Sequence, residues 1–391
     1  MIIAGGAWQI PLVKIAKSMG IYVINSNLYP DSPAFKYADK TWICDVRDKI
    51  KNLECAQLYK PDAIITDQSD IGVVTTAWLC EKLGLPGIGT NIAELFVNKT
   101  VMRDFCKEHG FSIPEYKKCL TIEECAEFLE IHKKIVIKPI DSQSSRGVFF
   151  VETEKRLKEV FNVTMQFSCA EEAVLAEELI EGPEFTVDGI KLPDGYYTLA
   201  ISEKTQYKRN PMISSSLYFS NYNNAFDYEA LRLVNQKIVC ASGLPFGLTH
   251  GEYKYKNGKF YLIEIAARGG GTKISSDITK YMSSIDSNEL LIRMALGESV
   301  SVTLPPIEKR YAILQFLEFK PGKVKKISGV ETILSTPGVI DFGLNFTEGE
   351  TISRMTDDRS RPGYYIAGAD DAENLSRICK EVENIISIEY E

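Results

Sequence analysis

The chain has 391 residues, 45% apolar and 25% charged, with 27 glycines and 16 prolines scattered along it. This composition excludes disorder, collagen-like repeats and coiled coil, and the length predicts two or three domains at roughly 100–200 residues each. The 45 Lys and Arg against 53 Asp and Glu leave a net charge of −8, so neither a nucleic-acid nor an anionic-membrane partner is expected, and with no apolar run near ~20 residues the protein reads as cytoplasmic.

Up to about residue 90, short apolar runs alternate with stretches of helical period. Strands are predicted at 2–4, 21–25, 40–44 and 62–66, and helices at 9–19, Lys49–Tyr59 and Asp70–Leu83, the order of a parallel sheet wrapped by helices. Gly5-Gly6 closes the first strand where a nucleotide-binding fold bends around phosphate. G-x-G-x-x-G is incomplete there and no acidic residue follows at the usual distance, so the pair reads as a tight strand-to-helix turn.

A helix over 92–110 ends at Ile113-Pro114. Next come a helix (121–131), a strand (134–138), a polar loop (141–147), a strand (148–151), a helix (155–165) and a strand (173–177), a unit small enough to be a lid, spanning about 114–178. Strands at 185–190 and 196–203, a polar segment at 205–224 and a helix at 228–242 lead to a hairpin, 251–255 with 259–265. Its Asn257-Gly258 turn is a strong hairpin signal. Beyond 306 the chain reads as mixed strands with a closing helix at 372–386. The fold class is α/β and α+β, with domains at 1–94, 95–305 and 306–391.

The hairpin carries the first chemical signal. Glu252 and Glu264 lie near the open end of its ladder, a short cross-strand distance apart, and two carboxylates there need a cation between them. Oxygen ligands without His or Cys suit a hard ion, Mg²⁺ shared with phosphate. Arg268 precedes Gly269-Gly270-Gly271, a run that lets an anion approach the backbone while a guanidinium grips it. Lys138 ends an apolar strand and faces the loop Ser142-Gln143-Ser144-Ser145-Arg146-Gly147, the composition of a mobile flap over phosphate oxygens. Glu177-Glu178-Leu179-Ile180 joins two strands at a turn whose backbone can read an adenine edge, and Glu184 beyond it can accept from ribose hydroxyls. An acceptor molecule is expected beside 204–219, where Lys204, Lys208 and Arg209 cluster, and beside Arg268 to Gly271. Nine cysteines without C-x-x-C read as small buried apolar residues, and three histidines, His109, His132 and His250, are too few for a multi-histidine metal centre. His250, two residues before Glu252, reads as a hydrogen-bonded structural histidine, with the relay of a proton from an attacking amine as the alternative.

In this order the motifs resemble the ATP-grasp superfamily, in the branch with biotin carboxylase, the purine-biosynthetic carboxylate ligases and the L-amino-acid ligases. The resemblance covers nearly the whole chain. It implies an N-terminal Rossmann-like pre-ATP-grasp domain, an ATP-grasp fold with a mobile lid and a C-terminal mixed α+β subdomain completing the core. Lys99, within Asn98-Lys99 and Met102-Arg103, and Lys138 resemble the two lysines that meet nucleotide phosphates, and Ser144, Ser145, Arg146 and Gly147 the flexible loop. Glu177, Glu178, Leu179 and Ile180 resemble the adenine hinge, Glu184 the ribose acid, and Glu252 and Glu264 the metal carboxylates. Arg268 falls where an arginine steadies the acyl phosphate, with Lys204, Gly269 and Gly270 on the substrate side, so that Arg268 and Lys138 carry the catalytic roles. Two departures stand out. Ala266 replaces the asparagine of the family's Glu-x-Asn, which implies altered metal coordination, and Gln143 stands where many members have glycine.

The resemblance implies an ATP-dependent carboxylate–amine ligase using ATP and Mg²⁺, with Mn²⁺ as an alternative, acting on a small-molecule carboxylate and an amine, and a homodimer by analogy with relatives. A bicarbonate-using carboxylase and a nucleotide-binding module without turnover are the alternative readings.

Overall fold

The computed structural model describes residues 1–142, 146–168, 171–303 and 309–391. Gln143, Ser144, Ser145 and Cys169 lie outside the described residues.

The largest sheet has eight strands, each antiparallel to its neighbours. Their spatial order is Lys259–Ala266, Gly247–Lys256, Glu184–Leu192, Gly195–Tyr207, Asn210–Ser220, Tyr311–Phe316, Gly363–Ala369 and Val339–Leu344. Strand alternation sends Phe185, Val187, Tyr253, Leu262 and Ile265 to one side, where they meet Leu231, Ile238 and Val239 of the helix Tyr228–Ala241. The opposite side of the same strands is left to polar residues, and the candidate site forms there.

In the N-terminal unit, Ile2–Ile3, Ile24–Asn27 and Lys40–Ile43 pair in parallel, with the helices Lys49–Tyr59 and Asp70–Leu83 at the expected positions. The strand expected at 62–66 shrinks to one bridge, Ile2 with Ile65. Its end is drawn out of the ladder, because Thr66 Oγ1 donates to the Ile3 carbonyl and the Asp67 carboxylate turns to the Gly269 amide and Ser275.

The unit between Tyr116 and Glu178 is a four-stranded antiparallel sheet, ordered Tyr116–Cys119, Val174–Glu178, Ile135–Pro139 and Phe149–Val151. Helices Ile122–His132 and Glu154–Met165 pack on it around Cys125, Phe128, Leu157 and Phe161. A small sheet of Thr351–Ile352, Gly322–Ser328 and Ser387–Tyr390 and the helix Ala372–Ile385 finish the chain.

Three further expectations change. The helix expected over 92–110 is two helices, Thr90–Val97 and Lys99–Glu108, because Asn98 is extended (φ −88°, ψ 110°) and its Oδ1 accepts from the amides of Thr100 and Val101. The polar segment at 205–224 contains the strand Asn210–Ser220. Cys240 is exposed and Cys379 half-buried, whereas Cys44, Cys55, Cys80, Cys106, Cys119 and Cys125 are buried as expected.

Candidate active site

Asn257 and Gly258 both adopt positive φ, 51° and 80°, the geometry of a two-residue turn matched to strand twist. That turn sets the register in which Glu252 stands directly opposite Glu264. Tyr253 then pairs with Leu262, leaving Ile263 as an extra residue, a bulge. The Ile263 carbonyl accepts from Arg103 Nη2 at 2.6 Å, and Arg103 Nε reaches Glu177 Oε1 at 2.7 Å. Lys138 Nζ sits 2.6 Å from the other Glu177 oxygen. Arg103, Lys138 and Glu177 are all buried. Burial alone would raise the Glu177 carboxyl, but Arg103 and Lys138 override it and hold it below the usual carboxylate range, while burial lowers Lys138. Lys138 is therefore half of a buried ion pair and not a solvated strand end.

Lys99, the first residue of its helix, donates to the Ser142 carbonyl at 2.6 Å and lies 3.2 Å from Glu264. Across the sheet, Lys204 bridges Glu184 at 2.7 Å and Glu252 at 3.0 Å, and Lys254 adds a second cation 2.9 Å from Glu184. Burial opposes ionisation of Glu252, yet Lys204 and His250 hold it well below its ordinary value. Burial would lower His250, but Asp188, 2.8 Å from Nδ1, and Glu252, 3.6 Å from Nε2, push it up to about 9. Glu252 and Glu264 are thus not the unpaired carboxylates expected from the sequence, since each already faces a lysine.

Two cavities meet at this wall. One, of about 510 Å³, is lined by Lys99, Lys138, Glu177 to Gly182, Glu184 and Lys254. The other, of about 480 Å³, is lined by Trp8, His250, Arg268, Gly271, Phe316, Asn345, Arg361 and Tyr364. Lys204, Ser214, Glu252 and Glu264 face both. A further cavity of about 660 Å³, beside Asp227, Arg232 and Arg310, contains none of the expected site residues.

Arg268 is held by the N-terminal unit, with Nε and Nη2 each 2.9 Å from the two oxygens of Asp70 in a bidentate pair. Against the cost of burial, Asp70 raises the Arg268 guanidinium further, and Arg268 in turn keeps Asp70 ionised. The glycine run serves packing as much as approach. A side chain on Gly269 would meet Asp67 Oδ1 at 2.8 Å and one on Gly270 would meet Asp188 Oδ1 at 2.6 Å, whereas Gly271 has open space before it. Of the expected phosphate loop, Arg146 lies over the Phe167 ring and Gly147 (φ 70°) packs against Phe167 and Pro139, so Ser142 and Val148 line the cavity instead. Lys208 and Arg209 are exposed at the hairpin end, away from both cavities. At the hinge, the amides of Glu178 and Leu179 are spent on the carbonyls of Glu115 and Lys134.

The donor set can be tested against a metal. Among the described residues no group of three or more His, Cys, Asp or Glu converges on one point, so the protein offers no complete cage. A hard dication shared with phosphate needs only one or two carboxylates, and the opposed Glu252 and Glu264 on the wall common to both cavities fit that requirement.

Two stretches of the chain match known families. Residues 131–277 match the ATP-grasp domain and residues 315–391 the L-amino acid ligase C-terminal domain 2. Dapdiamide A synthase of Enterobacter agglomerans is 23% identical over 65% of this chain and 62% of its own length. Alanine–anticapsin ligase of Bacillus subtilis is 27% identical over 61% of this chain and 55% of its own, so the chain spans little more than half the length of these relatives. An L-amino acid ligase from Bacillus licheniformis superposes with a TM-score of 0.83 at 22% identity, covering 100% of this chain and 98% of that one, a likeness of fold. None of the described helices is long and apolar enough to cross a membrane.

Proposed function

Since the chain belongs to the ATP-grasp superfamily and carries the C-terminal domain of the L-amino-acid ligases, we propose that it is an ATP-dependent carboxylate–amine ligase. The observation that carries this reading is the wall shared by the two cavities, where Lys204, Glu252 and Glu264 face both sides. A phosphoryl group bound on one side is then within reach of a carboxylate bound on the other.

A carboxylate is a poor electrophile because its leaving oxide is costly and its ground state is resonance-stabilised. Passing the γ-phosphoryl group to a carboxylate oxygen releases ADP and gives an acyl phosphate. An amine nitrogen then bonds to the acyl carbon, phosphate leaves with the C–O electron pair, and the amine proton goes to solvent. No protein nucleophile is needed, and catalysis is positional and electrostatic. Lys99 and Lys138 neutralise phosphate oxygens, the stretch Glu177 to Ile180 borders the base, and Glu184 accepts from ribose hydroxyls. Glu252 and Glu264 would hold Mg²⁺, which supplies charge neutralisation on the phosphates when bound. Arg268, its orientation set by Asp70, faces the charge that develops on the acyl side. The unit around 114–178 acts as the lid that keeps water from the acyl phosphate.

The test is ADP release over pairs of amino acids and small acids. Release that requires both an organic acid and an amine is expected, and release that requires bicarbonate in place of the acid would redirect the reading to a carboxylase. Glu264→Gln should leave the fold intact and lower turnover by two orders of magnitude, about 2.7 kcal/mol. Turnover at the wild-type rate would remove Glu264 from the metal site.

A further inference from the structure

The cavity that holds Arg268 does not end at a continuous wall. Ala7, Trp8 and Tyr364 line it on one side and line a second chamber of about 730 Å³ on the other. Trp8 sits on the short turn Ala7–Gln9 of the N-terminal unit, and Tyr364 on the strand Gly363–Ala369 of the C-terminal part. Their rings meet edge to face with centroids 5.4 Å apart and planes at 71°. The two rings are held differently. Tyr364 Oη donates to Asp341 at 2.5 Å, and the same carboxylate pairs with Lys273 at 2.5 Å, so the tyrosine is tethered. The Trp8 indole N–H has no hydrogen-bond partner among the described residues, and only packing keeps the ring in place. Behind the pair, Pro11, Ile15, Tyr281 and Ile340 give the second chamber an apolar strip, bordered by the charged side chains of Lys14, Lys273, Asp277, Lys280 and Asp286.

We propose that Trp8 is the specificity-determining residue of this enzyme: with Tyr364 it closes the substrate cavity against the second chamber and restricts the reacting amino acids to short side chains. Removing the indole joins the two spaces and admits a long aromatic side chain, whose burial among Pro11, Ile15 and Tyr281 favours binding. Trp8 lines the substrate cavity and not the nucleotide-side cavity, so its effect is on selection and not on phosphoryl transfer.

This inference rests on the ligase reading above, and the test separates the two. In an ADP-release assay with Mg²⁺ and ATP, Trp8→Ala is expected to raise kcat/KM for L-phenylalanine relative to L-alanine by tenfold or more, while Trp8→Phe keeps the wild-type ranking. An unchanged ranking in folded Trp8→Ala overturns the proposal. If the wild type releases no ADP with any pair, the ligase reading falls and the partition is read by calorimetry in the presence of a non-hydrolysable ATP analogue. Tenfold tighter L-phenylalanine binding in Trp8→Ala, with L-alanine unchanged, supports the partition, and equal affinities overturn it. Should thermal unfolding show that Trp8→Ala does not fold, Trp8→Leu, which removes the ring edge but keeps an apolar contact, takes its place with the same two outcomes.

Discussion

Glu177 joins two cations that come from different elements, and its titration couples the site to stability. Its carboxyl is held below the ordinary range by Arg103 and Lys138, so its contribution is fully present above the unfolded value, about 4.3, and is lost as pH falls through the lower folded value. Urea unfolding should therefore show stability dropping on acidification. Glu177→Gln leaves two buried cations without a counter-charge and should cost about 3 kcal/mol at neutral pH. Because the variant has no carboxyl to titrate at this position, it should lose less on further acidification than the wild type, and equal acid sensitivity would show that other carboxylates dominate. Lys138 makes the complementary case. Lys138→Ala should weaken ATP binding at least tenfold, about 1.4 kcal/mol by calorimetry, and an unchanged affinity would take the lysine out of the nucleotide cavity.

Single elements carry several site residues at once. The helix Lys99–Glu108 holds Lys99 at its first position and Arg103 one turn later, and Asn98 caps it through the amides of Thr100 and Val101. Asn98→Ala should lower stability by about 1 kcal/mol and also raise the KM for ATP, because fraying the first turn releases Lys99. A thermal shift with an unchanged KM would confine the cap to stability. The same helix shows where sequence reading stops. Lys99, Lys138, Glu252 and Glu264, which line the nucleotide-side cavity, could be singled out as candidates because a local pattern surrounds each of them: a strand end, an Asn-Gly turn, or a motif at fixed spacing. Arg103 and its partner Glu177 lie 74 positions apart, and the carbonyl that completes the contact is turned by a bulge at Ile263 that no residue type announces. Asn210–Ser220 was hidden for another reason: a run of serines reads as loop by composition, although Ser214 belongs to a strand that lines both cavities. The expected helix over 92–110 has a continuous apolar period, and only the cap at Asn98 divides it.

At the scale of the molecule, the pair of Arg268 with Asp70 spans 198 positions and ties the N-terminal unit to the site. Asp70→Asn should lower kcat several-fold or more with ATP affinity unchanged, because the guanidinium loses its fixed orientation while the nucleotide side is untouched. Equal loss of ATP binding in steady-state and calorimetric measurements would instead mean that the N-terminal unit holds both cavities together. Lys204, bound at once to Glu184 beside one cavity and to Glu252 beside both, has a further consequence. Any ligand that draws either carboxylate or the lysine toward itself alters the charge presented to the other space, so the two occupants cannot bind independently. For the proposed ligase, thermodynamic linkage then requires reciprocity: the factor by which nucleotide changes the affinity for the second substrate must equal the factor by which that substrate changes the affinity for nucleotide. Lys204→Met, which empties the junction of its shared cation, should bring that factor toward one.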